Sequence, residues 1–236
     1  MIKLAALLLG ILLLPISAHA SYPDPVDRYL NDFTGTLSAD SQQSIKRRLS
    51  EIHAKNRLDI RVAIINKYAS FKTKNKTWES FSTELFNHWQ IGDRFQNRGV
   101  LLLISLDDRK IRIELGSGYS SKFDKGMKSI IDSVISPPLT KSKFSEGISN
   151  GIEAILNSVT VEQSFLDRYF WHILIGSISL ASCFFAFLCF KMENPPILFV
   201  ILGIVGFVLY GLVLASAEQN SYGGGSSGGG GASGSF

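Results

Sequence analysis

Apolar residues recur at helical spacing from about Ala39 to Lys55, where Ile45, Leu49 and Ile52 share one face behind the N-cap residue Ser38. The period then falls to two: Leu58, Ile60, Val62 and Ile64 alternate and predict a strand. A basic loop from Tyr68 to Lys76 leads to a second helix from about Thr77 to Gln90. Trp78, Phe81, Leu85 and Trp89 lie on one face of that helix, as core positions do, and Gly92 marks its end. Val100 to Leu106 is apolar but for Ser105, as expected of a strand covered on both faces. Ile111, Ile113 and Leu115 alternate with Arg112 and Glu114, as expected of a strand covered on one. The first of these strands is therefore predicted central and the second nearer an edge. Two helices follow, at about Lys125 to Ile135, stopped by Pro137-Pro138, and at about Ser145 to Thr160, with Ile148, Ile152, Ile155 and Val159 inward. The order α-β-α-β-β-α-α predicts an α/β fold: a single sandwich domain with a small mixed β-sheet flanked by helices, spanning 21–165.

The patterning changes at both ends. Residues 1–20 read as a secretory signal peptide: Lys3, an apolar run from Leu4 to Leu14, Pro15, then Ala18-His19-Ala20 as the cleavage signature. Residues 171–190 and 197–215 are uncharged apolar stretches of bilayer length without a polar stripe, and predict a transmembrane hairpin. Lys191 to Pro196 is too short to cross a membrane, so both helices turn back on one side. The signal peptide then places 21–165 and the tail outside the cytoplasmic membrane, on the periplasmic or extracytoplasmic side. The hairpin can also serve as an assembly surface, since Gly203, Gly206 and Gly211 allow close helix approach. Residues 216–236, rich in glycine and serine, bury too little surface to offset their ordering entropy and are expected to be disordered. They are either a solvated tail or a leash that carries Phe236 as a weak docking element.

Composition adds limits. The chain has 236 residues, 24 Lys and Arg against 20 Asp and Glu, and a formal charge of +4. The basic residues are dispersed, with Lys46-Arg47-Arg48 and the 72–76 run as solvated faces, so no nucleic-acid partner is expected. Both cysteines, Cys183 and Cys189, fall in the first apolar segment on different helix faces. The exported domain therefore has no disulfide and no thiol nucleophile.

Candidate chemistry concentrates in carboxylates. Asp107 and Asp108 sit between the two adjacent strands, where a turn can aim hard oxygen ligands at one calcium or magnesium ion. Asp124, at the start of the next helix, and Asp32, in an earlier turn, are the expected remaining ligands, with Glu114 and Asp93 in reserve. Turn geometry and helix capping favour aspartate at such positions without any metal. Gly116-Ser117-Gly118 lacks the third glycine of a phosphate-cradling loop and reads as a flexible turn. Arg109 and Arg112 read as solvated charges at the ends of a strand, with an anion near the acidic turn as the alternative. His53 and His88 read as helix-surface residues, and neither a Gly-x-Ser-x-Gly elbow nor a His-Glu-x-x-His helix occurs. No catalytic residue is assigned.

Four stretches taken in order resemble a known family: NDFTGTLS at 31–38, HWQIGD at 88–93, NRGVLLLISLDDRKIRIELGSGY at 97–119 and KFSEGISNGI at 143–152. With the C-terminal GGGG-ASGSF they are similar to the TPM-domain family, whose bacterial members are YgcG-like proteins. The resemblance covers nearly all of Tyr22 to Val159, although the family's tail commonly ends in tryptophan rather than Phe236. It implies an α/β sandwich, calcium binding and acid phosphatase activity as in plant thylakoid relatives, and a part in membrane-protein maintenance or assembly. The expectation is thus an interaction module with membrane proteins as partners. The alternative is a metal-assisted phosphatase acting on phosphate monoesters.

Overall fold

The computed structural model describes residues 22–75, 77–161 and 223–236. The signal peptide and both apolar segments expected to span the membrane lie outside the described residues. Among those described, no helix is long and apolar enough to cross a membrane.

Strand β1 (Leu30–Asp32) is followed by helix α1 (Ala39–Asn56), β2 (Asp59–Ile65), α2 (Trp78–His88), β3 (Gly99–Ser105) and β4 (Lys110–Leu115). Helix α3 (Lys122–Ile130) runs through a π turn into α4 (Ser136–Thr140), then come α5 (Phe144–Val161) and β5 (Gly230–Ser235). Local chemistry sets the boundaries. The Ser38 side chain accepts the Ser41 N–H at the start of α1, and Arg57 closes that helix in the left-handed region at φ 53. Thr77 and Ser80 form a reciprocal capping box on α2.

The five strands lie in the order β1-β2-β3-β4-β5. The first three are parallel, while β4 and β5 each run antiparallel to the preceding neighbour. One face of the sheet packs Ile60, Val62, Leu102, Ile104 and Ile113 against Ile45, Leu49 and Ile52 of α1, Met127 of α3 and Ile152 of α5. The other packs Ala63, Ile65, Leu101 and Leu103 against Phe81, Leu85 and Phe86 of α2, with Trp78 and Trp89. The α/β sandwich with a mixed sheet is thus the observed fold.

Four expectations are corrected. Asn31 and Asp32, expected in a turn, lie in β1, because they pair with Ala63 and Ile64 along a buried parallel neighbour. Pro137 and Pro138 do not stop the third helix: they occupy the first turn of α4, where a missing N–H leaves no intrahelical bond unmade. The sheet face that the alternation of β2 and β4 marked as polar is covered rather than solvated. Asp59 and Arg61 pair there at 3.0 Å below Trp89, whose carbonyl accepts from Arg61, and Arg112 and Glu114 pair on β4. Finally, 223–236 is not a disordered tail. Residues 230–235 form the outermost strand, because β4 supplies the backbone partners that such a segment lacks alone.

Candidate functional site

The four carboxylates proposed as metal ligands stand in three places. At the end of β1, Asp32 organises its own turn: Oδ1 accepts the N–H groups of Thr34 and Gly35 and the Thr34 hydroxyl, and Oδ2 accepts the Leu37 N–H at 2.8 Å. Burial pushes its carboxyl upward, but the bonds from Thr34 and Leu37 outweigh burial and hold it below the ordinary aspartate value. A carboxyl depressed on folding adds stability above its unfolded value and loses it as pH falls through the folded one. Asp32→Asn is therefore expected to lower stability by about 1–2 kcal/mol at neutral pH, read as a lower denaturant midpoint with unchanged slope, and to flatten the acid side of the stability profile.

Asp107 and Asp108 sit in the β3–β4 turn, which Arg109 completes at φ 52. Asp107 is exposed. Asp108 faces inward, where Oδ2 accepts the Ser105 hydroxyl at 2.7 Å and the Tyr68 N–H at 3.0 Å. Asp124 lies toward the other end of the sheet and accepts the Gly231 N–H at 2.8 Å. Among the described residues no group of three or more His, Cys, Asp or Glu is placed to hold a metal ion. The four aspartates as placed do not fit one shared ion. Of the reserves, Asp93 caps its own loop through the N–H groups of Phe95 and Gln96, and Glu114 is fully buried.

The remaining candidates resolve as packing. Trp78, Phe81 and Trp89 are core. His88 meets Asp24 at 3.1 Å, and His53 lies beside Arg28 and the Tyr29 ring. The Gly-Ser-Gly turn is a close backbone approach: a Cβ at Gly116 would stand 2.0 Å from the Asn97 carbonyl oxygen, and one at Gly118 1.8 Å from that of Gln96.

The structure instead assembles polar groups along the outer edge of β4, around residues 223–236. Register runs from Lys110 opposite Ser235 to Leu115 opposite Gly230. Before the strand, Ser227 exchanges bonds with the Asn87 amide, and the Ser226 N–H donates to Asn97 Oδ1 at 2.9 Å. Beneath it lies an ion pair closed off from water: Arg112 donates from Nε to Glu114 Oε2 at 2.7 Å, with Arg112 5% and Glu114 0% exposed.

Each member of that pair also holds the tail. The Arg112 guanidinium donates to the carbonyls of Gly229 and Gly230 and to the Ser233 hydroxyl. Glu114 Oε1 accepts from Ser227 at 2.5 Å and from Thr83 of α2 at 2.9 Å. Ser233 donates to Glu79, whose carboxyl burial would raise, but this bond, its own N–H, and the Arg112 and Lys110 charges hold it low. At the far end Phe236 packs edge-on to Phe144 at 6.3 Å, lies under the Arg109 guanidinium, and accepts from Arg109 Nε. Phe236 therefore packs on its own domain, directly after a paired strand rather than at the end of a flexible leash.

Sequence reasoning missed this site because R-x-E on an alternating strand reads as a solvated face. The available signal was that Arg112 and Glu114 are i, i+2 neighbours of opposite charge on one face, able to neutralise each other under cover.

The TPM domain profile matches residues 30–158. No curated protein matches the chain. Among solved structures, the N-terminal domain of a P. gingivalis protein is similar at 24% identity, covering 56% of this chain and 82% of that one, with a TM-score of 0.46. An N-terminal domain from Corynebacterium glutamicum is similar at 14% identity, over 59% of this chain and 84% of its own, with a TM-score of 0.42. The BA42 protein of Bizionia argentinensis is similar at 17% identity, over 52% of this chain and 80% of its own, also at 0.42. The profile covers more than half of the chain and contains β1 through most of α5, so this chain belongs to the TPM-domain family.

Proposed function

We propose that this TPM-domain chain is an interaction module, exported across the cytoplasmic membrane and held at its outer face by a hairpin of residues 171–190 and 197–215. Support for the anchor is compositional: both segments are uncharged, apolar and long enough to span a bilayer. The observation that carries the interaction reading is the β4 edge. There the domain takes up an extended segment from far along the chain and grips it through backbone pairing and the Arg112–Glu114 pair. Strand addition of this kind draws affinity from the main chain and selectivity from the side-chain seats. The partners envisaged are other membrane proteins.

Reporter fusions and crosslinking in intact membranes test this reading. A reporter joined after Arg168 is expected to be active only outside the cytoplasm. A photo-crosslinker in place of Phe95, which is 78% exposed near the seated segment, is expected to trap a defined membrane protein. A cytosolic reporter overturns the placement. Turnover of a phosphate monoester by the full chain, abolished by Asp107→Asn, would replace the module with an enzyme. Calcium and magnesium titrations of Asp107→Asn and Asp108→Asn against the parent chain test the acidic turn, and identical responses remove it.

A further inference from the structure

We infer that the β4 edge is an exchangeable strand-binding site whose second occupant is the Gly223–Phe236 segment of another copy of this chain. The inference rests on the interaction reading and names its partner. It begins with the chemistry of the seat. The paired faces of β2 and β3 are largely apolar, as befits strands covered permanently. The part of β4 beneath the tail instead presents Arg112 and Glu114, with Thr83, Asn87, Asn97 and Asp124 around them. Water can satisfy every one of these polar groups once the segment leaves, and the apolar surface it uncovers is confined to what Ala232, Gly234 and Phe236 cover beside Ile131 and Phe144.

The segment is matched to that seat. In β5 only Ala232 is a buried apolar residue, so the hold is backbone pairing and polar contact. Glycine gives up more conformational freedom on ordering than other residues, which opposes that hold and keeps release accessible. The fit is nonetheless selective. A Cβ at Gly225 would meet the Ile91 carbonyl oxygen at 2.1 Å, and one at Gly231 would meet that of Ile113 at 2.0 Å. At Gly234 it would meet the Ile131 side chain at 2.4 Å. Ser227 and Ser233 must also supply hydroxyls, and residue 236 an aromatic ring.

A second copy meets all of these demands. It brings its own vacant seat in return, so exchange reproduces the same bonds twice over. Copies held at one membrane surface would also encounter one another with their seats and strands at the same height.

Cysteine pairing in the full chain decides the matter. Lys110 and Ser235 face each other next to the Phe236–Arg109 backbone bond, at a non-hydrogen-bonded position whose spacing suits a disulfide. In a background of Cys183→Ala and Cys189→Ala, Lys110→Cys and Ser235→Cys are placed in two differently tagged copies made together, and the membranes are oxidised. A covalent dimer carrying both tags is expected, and it should disappear when the Ser235→Cys copy also carries Gly231→Val and Gly234→Val. A chain with both cysteines is made in parallel. If that chain closes on itself while the separate copies never join, exchange is overturned and the interaction reading stands. If the doubly substituted chain forms no disulfide at all, the seat itself is overturned, and the reading built on it falls too.

Discussion

Arg112→Ala is expected to lower the stability of the full chain by roughly 3–5 kcal/mol, the range for a buried ion pair that loses one partner. Glu114 would remain at 0% exposure with its charge uncompensated, and the carbonyls of Gly229 and Gly230 would lose their donor. Thermal or denaturant unfolding followed by tryptophan fluorescence reads the loss. The decisive comparison is the double variant Arg112→Met, Glu114→Leu. It removes both charges while keeping most of the volume, and is expected to regain most of the stability. Full recovery is not expected, because the Gly229 and Gly230 carbonyls still lose their Arg112 donor, at about 1 kcal/mol each, while the Ser227 and Thr83 hydroxyls keep the Leu115 and Glu79 carbonyls as acceptors. An Arg112→Ala variant that costs less than about 1 kcal/mol would mean that water reaches the pair, and that residues 227–233 do not lie over it.

Gly231→Val is expected to release the last strand while leaving the rest of the sheet in place. Gly231 has φ 118 and already donates to Asp124. A side chain there meets both an unfavourable backbone region and the Ile113 carbonyl oxygen. Steric strain and overpacking together cost roughly 2–4 kcal/mol, equivalent to about 30- to 1,000-fold in local opening. Hydrogen exchange should show that loss at the amides joining β4 to 230–235. The β2–β3 ladder, which shares no contact with residue 231, should keep its protection. Uniform loss across all strands would mean that the sheet opens as one unit and that the tail is no separable element.

Much of this fold is written in hydrophobic periodicity. Ile45, Leu49 and Ile52 mark α1, and the unbroken run from Val100 to Ile104 marks the central strand, because burial on one stripe or on both faces leaves a direct trace in residue choice. Apart from the proline pair at the start of α4, the misreadings of the fold share one cause: partners came from parts of the chain far away in sequence. Arg112, Glu114, Asp59 and Arg61 alternate as solvent-facing residues do, and only α2 and the tail turn them into buried pairs. β1 is three residues long and gains its strand geometry from Val62 and its neighbours rather than from its own pattern. Composition argued for disorder in the glycine-rich stretch, correctly for such a peptide alone. The specifying information lay in the partner strand and in the turn after α2, where the Ile113 and Ile91 carbonyls leave room only for hydrogen at positions 231 and 225. Among the aspartates, turn-forming and tail-holding roles had the same local signature as a metal cluster, and only the geometry told them apart.

The sheet's order of assembly has a consequence for biosynthesis. Ser227 meets Glu114 across 113 positions of chain, so the final strand arrives on the ribosome long after its neighbour. Until then β4 carries a bare row of amides and carbonyls, the kind of rim on which nascent chains aggregate. Residues 230–235 thus act as a guard against misassembly, since their pairing closes that rim.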